Sequence, residues 1–136
     1  MTREGRRRVL ILISAVWAMG IVFLFPSFGN ATDDGKGNAD RGKLVFEKRC
    51  TGCHSLNRNG EGPRLGNVFG RKAGSVSDFT YSEPVKSAPF AWDEQTLDRW
   101  LTNPDALIPD NDMAFRVSNA EERADVIKFL RISSGK

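Results

Sequence analysis

The stretch Arg49-Cys50-Thr51-Gly52-Cys53-His54-Ser55-Leu56 contains the only two cysteines and the only histidine of a 136-residue chain. Confining these side chains to five consecutive positions sharply limits what they can do. A zinc site requires about four ligands, and two Cys with one His fall short of that. Iron–sulfur clusters usually take four thiolates, which one such chain does not possess. Dithiol redox sites of the thioredoxin kind follow a strand in a βαβ pattern, whereas the residues before Cys50 read as a helix. A disulfide spanning two residues closes too small a loop to stabilise much.

The histidine directly after the second cysteine separates the remaining reading. C-x-x-C-H is the attachment signature of c-type haem. In that chemistry Cys50 and Cys53 add to the vinyl groups as thioethers, and the His54 imidazole is placed against the iron. A second axial ligand follows by elimination. The methionines are Met1, Met19 and Met113, and the first two lie in an apolar leader. Met113 sits in Ile108-Pro109-Asp110-Asn111-Asp112-Met113-Ala114-Phe115, a polar, Pro-led loop. Such a loop is a poor place for a core gap-filler and a good one for presenting a thioether. His54 and Met113 are therefore the expected metal ligands.

Charge is unevenly distributed. The chain is formally +3, with 20 Lys+Arg and 17 Asp+Glu. Arg3, Arg6, Arg7, Arg8 and Glu4 account for the whole excess, so the body from Thr32 onward is formally neutral. It shows no basic stripe of the kind a nucleic-acid binder carries. The basic start precedes 17 uncharged, mostly apolar residues, Val9–Phe25, then Pro26 and the small-residue exit Gly29-Asn30-Ala31. That pattern is an export signal cleaved after Ala31. The same run lies at the lower edge of a spanning helix, so an uncleaved membrane anchor through residues 9–25 is the alternative. Either way the body is exported. The expected division is residues 1–31 leader, 32–38 linker and 39–136 one domain.

Three helices are predicted, and no strand alternation stands out. The first covers Ala39–Arg49 with Asn38 as N-cap and sets Gly42, Phe46 and Cys50 on one face. The second covers Glu94–Thr102, opened by Asp93 and ended before Asn103-Pro104. Its apolar stripe is Leu97, Trp100 and Leu101. The third covers Asn119–Ile132, with Ser118 and Glu121 as a capping box and Ala124, Val126, Ile127, Phe129 and Leu130 as its buried face. Between the first two helices lies a long Gly- and Pro-rich loop region. Loops of that length are uncommon in a compact domain unless they wrap something, and the visible apolar core is thin. The haem is expected to complete it.

Taken in order, CTGCH, Gly62-Pro63-Arg64-Leu65, Phe69-Gly70-Arg71-Lys72-Ala73-Gly74, Phe79-Thr80-Tyr81-Ser82, Trp92-Asp93-Glu94-Gln95-Thr96-Leu97, Asn103-Pro104, Ile108-Pro109 and Met113-Ala114-Phe115 closely resemble mitochondrial-type, class I cytochrome c. The likeness covers about Ala39–Arg131. It implies a small all-α fold whose N- and C-terminal helices cross at Gly42 and Phe46 against Phe129 and Leu130, with loops wrapped around one covalent haem. It further implies that Pro63 offers its carbonyl to His54. Arg71, Tyr81 and Trp92 match positions that hold a buried haem propionate. Trp100 stands where the family usually has a tyrosine near the Met ligand, which leaves open whether the sulfur receives a hydrogen bond. Val85 replaces a polar residue that helps order a buried water, and the loop after CTGCH is shorter than in the mitochondrial proteins.

The function implied is one-electron transfer rather than enzymatic turnover, because two axial ligands leave the iron no open site. Partners would be redox proteins outside the cytoplasmic membrane: a quinol-oxidising complex on one side, an oxidase, reaction centre or dehydrogenase on the other. The rival reading is a small-ligand-binding or sensing haem protein with a labile Met113. The family's haem edge is commonly ringed by lysines, but here Asp110 and Asp112 flank the loop. Arg49, Arg64 and Lys72 are the candidates for a local positive patch.

Overall fold

The structure, a computed structural model, describes residues 37–136. The leader and most of the linker lie outside the described residues. Among the described residues the regular elements are five helices: α1 (Ala39–Arg49), α2 (Glu83–Lys86), α3 (Glu94–Thr102), α4 (Pro104–Leu107) and α5 (Ala120–Ser133). A single isolated bridge pairs Lys72 with Ala91. None of these helices is long and apolar enough to cross a membrane.

Capping residues define the helix starts. The Asn38 side chain accepts from the Arg41 N–H at 2.9 Å and opens α1. At α3 the cap is reciprocal: Asp93 Oδ1 accepts from the Thr96 N–H at 2.7 Å, and the Asp93 N–H donates to Thr96 Oγ1 at 2.8 Å. Two amides that would otherwise be orphaned are thereby satisfied. The expected capping box of α5 is displaced by one residue. Asn119, not Ser118, is the N-cap, and its side chain accepts from the Glu121 and Glu122 N–H groups at 2.8 and 3.0 Å. Asn is at least as good a cap as Ser, and its longer side chain reaches two amides. Pro104 does end α3, but it also starts α4, because proline suits the first turn of a helix.

α1 crosses α5 in close contact. A Cβ on Gly42 would lie 2.0 Å from the Asp125 carbonyl oxygen, so only glycine permits the approach. Beside it the Phe46 and Phe129 rings sit 5.4 Å apart. Val126, Ile127 and Leu130 are buried as expected, while Ala124 and Phe129 are half-buried. Asp125 is the unexpected member of that face, only 3% exposed. Its carboxylate accepts from the Asn38 N–H at 2.6 Å and from Arg41 Nε and Nη2 at 2.7 and 2.9 Å. A buried charge is tolerable when it is paired and hydrogen-bonded in this way. It ties the start of α1 to the middle of α5. From this crossing the chain runs through the cysteine motif, loops over the front, and returns along α3 and α4 to the loop containing Met113.

Candidate functional site

A cavity of ≈ 380 Å³ occupies the centre of the fold. Both cysteines, His54 and Met113 line it, on a mostly apolar wall that includes Leu65, Val85, Trp92, Leu97 and Leu101. Its volume falls in the range of about 300–1,000 Å³ typical of ligand pockets. The loops therefore wrap a cavity, as their length led us to expect.

The motif is placed by the end of α1. Cys50 is the C-cap, its N–H donating to the Phe46 carbonyl at 2.8 Å, and the His54 N–H returns to the Cys50 carbonyl at 2.8 Å. This tight turn brings both thiols and the imidazole to one side of the cavity. Burial pushes the Cys50 thiol up to about 11, with Arg49 opposing and Cys53 adding. The exposed Cys53 thiol is also raised, chiefly by its hydrogen bond to Glu61 Oε2 at 3.2 Å. Nowhere among the described residues do three His, Cys, Asp or Glu side chains gather as a metal-binding group.

His54 Nδ1 lies 2.7 Å from the Pro63 carbonyl oxygen. A carbonyl only accepts, so Nδ1 carries the proton and Nε2 keeps its lone pair for a metal. Gly62 makes room for the ring, since a Cβ there would fall 2.1 Å from His54 Cε1. Elsewhere on the cavity wall, Trp100 Nε1–H donates to Met113 Sδ at 3.0 Å. The question raised by tryptophan in place of tyrosine is answered: the indole reaches the sulfur. Trp100 is buried and packs against Trp92, ring centroids 5.4 Å apart.

The polar corner of the cavity contains Arg71, Tyr81 and Ser82. Arg71 donates to the Gly66 and Arg64 carbonyls at 2.8 and 2.9 Å and is half-buried, and burial lowers its pKa. Burial raises that of Tyr81, against a hydrogen bond from the Val76 backbone and the charges of Arg71 and Arg64. Ser82 Oγ is buried without a hydrogen-bond partner and lines the cavity. A half-buried cation hydrogen-bonded to two carbonyls, next to an orphaned hydroxyl, leaves donors for an anionic group. A macrocycle with carboxylate side arms fits this apolar chamber with one cationic corner.

All nine residues singled out from the sequence meet at this chamber: Cys50, Cys53, His54, Pro63, Arg71, Tyr81, Trp92, Trp100 and Met113. Ser82 was missed, although it follows Tyr81 directly and its small hydroxyl was the available signal. Gly62 and Asn111 were missed too. Two of the three candidates for a positive patch are paired with carboxylates. Arg49 pairs with Glu122 at 2.9 Å, and Arg64 pairs with Asp78.

Comparison with known proteins identifies the family. The cytochrome c family model matches residues 39–134. Cytochrome c2 of Rhodomicrobium vannielii is 42% identical over 104 residues, covering 74% of this chain and 82% of the relative. Cytochrome c of Chlamydomonas reinhardtii is 39% identical over 99 residues, 70% of this chain and 88% of the relative. Among solved structures, cytochrome cH from Methylobacterium extorquens superposes with a TM-score of 0.67 at 33% identity, covering 71% of this chain and 99% of that one. The chain belongs to the cytochrome c family, with the class I fold and a covalent haem c carried by Cys50 and Cys53.

Proposed function

We propose that this cytochrome is a monohaem electron carrier with His54 and Met113 as axial ligands. The observation that carries the reading is the pair of pre-set ligands lining one cavity. The His54 proton is fixed on Nδ1 by Pro63, and the Met113 sulfur is fixed by Trp100. The haem supplies a one-electron iron couple, which His/Met ligation raises in potential. Around it this chain's residues have three tasks. Leu65, Val85, Leu97 and Leu101 exclude water and keep the surroundings of low polarity. Arg71 and Ser82, beside Tyr81, offer donors to a propionate. Trp100 draws electron density from the sulfur, which favours the ferrous state.

The site of action we propose is the periplasm or the outer face of the cytoplasmic membrane. Donor and acceptor would be a quinol-oxidising complex and an oxidase, reaction centre or dehydrogenase. The export-signal pattern of residues 1–31 supports this location. Intact mass of the purified protein tests the leader, with a mature chain starting at Thr32 expected and a chain retaining residues 9–25 indicating a tether. Carbon monoxide tests the ligation. Reduced protein that leaves its spectrum unchanged under carbon monoxide has the closed iron of a carrier. Rapid, complete formation of a carbonyl adduct would show that Met113 does not hold the sixth position.

A further inference from the structure

The loop that bears Met113 contains no helix or strand of its own. Between α4 and α5 the chain passes through Ile108 and Pro109 to Asp110, whose φ of +58° places a non-glycine residue in the left-handed region. One side chain closes this loop. Asn111 Oδ1 accepts from the Met113 N–H at 2.8 Å. Asn111 Nδ2 donates to the Ile108 carbonyl at 2.8 Å and to Asp105 Oδ1 at 3.0 Å. Asp105 in turn pairs with Arg116 Nη2 at 3.5 Å, beyond the methionine. The run from 105 to 116 is thus drawn into a ring with Asn111 at its centre.

The chemistry of that position is specific. It demands one acceptor and two donors on a short planar group, and an asparagine amide supplies these. The environment also fixes the amide's orientation, because a flipped group would set its oxygen against two acceptors. Aspartate has no donor when ionised, and serine or threonine has only one. Trp100 grips the sulfur, whereas Asn111 grips the backbone that carries it.

We propose that Asn111 is the positioning residue that presents Met113 to the haem iron, holding the ligand loop closed through its three hydrogen bonds. This rests on the assignment of Met113 as axial ligand. In the ferric holoprotein an added ligand must displace the thioether, so its binding reports how often the loop opens. Imidazole is the probe. In Asn111→Ala, both the rate and the apparent affinity of imidazole binding should rise about tenfold or more, since losing even two hydrogen bonds of ordinary net strength shifts an equilibrium that far. The far-red band of Met–ferric ligation should weaken in parallel, while far-ultraviolet circular dichroism stays as in the parent.

A residue that merely stabilised the fold would lower the melting temperature without moving imidazole binding. Asn111→Asp should behave like the alanine variant, because it loses both donors and faces Asp105. Combining it with Asp105→Asn reverses donor and acceptor across the outer bond but leaves the Ile108 carbonyl without its donor. The double variant should therefore recover only part of the parent behaviour. Should Asn111→Ala fail to mature, Asp105→Ala removes the outer bond and the exposed pairing with Arg116 but leaves the two inner bonds of Asn111. It should raise imidazole binding two- to threefold. Imidazole binding within twofold of the parent in Asn111→Ala, or unchanged in Asp105→Ala where that variant alone matures, overturns the proposal. A parent protein with no far-red band would overturn the Met113 assignment as well.

Discussion

The two sides of the haem cavity are built on different physical terms. On the His54 side the ligand follows the C-terminus of α1 by a few residues. It sits in a turn closed by backbone hydrogen bonds to Cys50, with Pro63 and Gly62 shaped to its ring. On the Met113 side the proposed ligand lies in an irregular loop, its sulfur and its backbone N–H held by two side chains, Trp100 and Asn111. One side is anchored by covalent attachment and local backbone structure. The other depends on contacts between residues distant in the chain, each worth only about 1 kcal/mol net. Damage to the first should abolish the site, and damage to the second should tune it.

The largest effect is expected from removing what joins the two sides. Replacing both Cys50 and Cys53 by serine eliminates covalent haem, and the ≈ 380 Å³ apolar chamber then has to collapse or stand empty. At ~24 cal/mol per Å³ an empty chamber costs at most about 9 kcal/mol, comparable with the whole stability of a small domain. Circular dichroism of the haem-free protein should show lost helix and no cooperative melt. A fully helical, cooperatively melting apoprotein would contradict the account of the core.

Next in size is the crossing that supports the His54 side. In Gly42→Ala the added carbon meets the Asp125 carbonyl, and overpacking of this kind costs about 1–3 kcal/mol. Thermal melting of the holoprotein should register the loss with no change in the haem spectrum.

The Met113 side should respond more gently. Trp100→Phe keeps the ring and removes the donor to sulfur. One net hydrogen bond of about 1 kcal/mol corresponds to about 40 mV for a one-electron couple. Spectroelectrochemistry should find the potential lowered by that order, with helix content unchanged.

Acid should weaken the crossing of α1 and α5. Burial raises the Asp125 pKa, but the hydrogen bonds from Arg41 and Asn38 and the Arg41 charge outweigh it and leave the carboxyl below its ordinary value. A folded pKa below the unfolded one gives stability that is full above the unfolded value of about 4 and is lost as pH falls through the folded pKa. Melting temperature followed from pH 7 to pH 2 should therefore fall below about pH 4, and Asp125→Asn should flatten part of that fall. The smallest effect is expected at Asp112, exposed at the cavity mouth. Asp112→Lys should change the rate of electron exchange with a charged redox partner severalfold, in a salt-dependent way, and leave the absorption spectrum alone.

The same contrast explains what could be read from the sequence. Features set by neighbours along the chain were legible. The boundaries of α1 and α3 came from Asn38, Asp93 and Pro104, and the haem attachment from five consecutive residues. The notch at Gly42 was visible as an unfavourable helix residue needing a reason. Features made across the chain were not. Nothing near Asp125 announces that it will be buried, because its partners Asn38 and Arg41 lie more than 80 positions away. Asn111 read as one more polar loop residue, since its role depends on Asp105 and Ile108 folding back towards it. Trp100 was legible as a core aromatic, and the geometry that turns its N–H to the sulfur was not. At α5 two adjacent cap-formers, Ser118 and Asn119, competed, and only the reach of the side chain decided between them.

The most direct test of the central claim is the absorption spectrum of the holoprotein, ferric and then ferrous. Iron held by both His54 and Met113 predicts sharp split bands on reduction and the weak far-red band of Met–ferric ligation. A high-spin or five-coordinate spectrum would leave the covalent haem in place and contradict Met113 as its ligand.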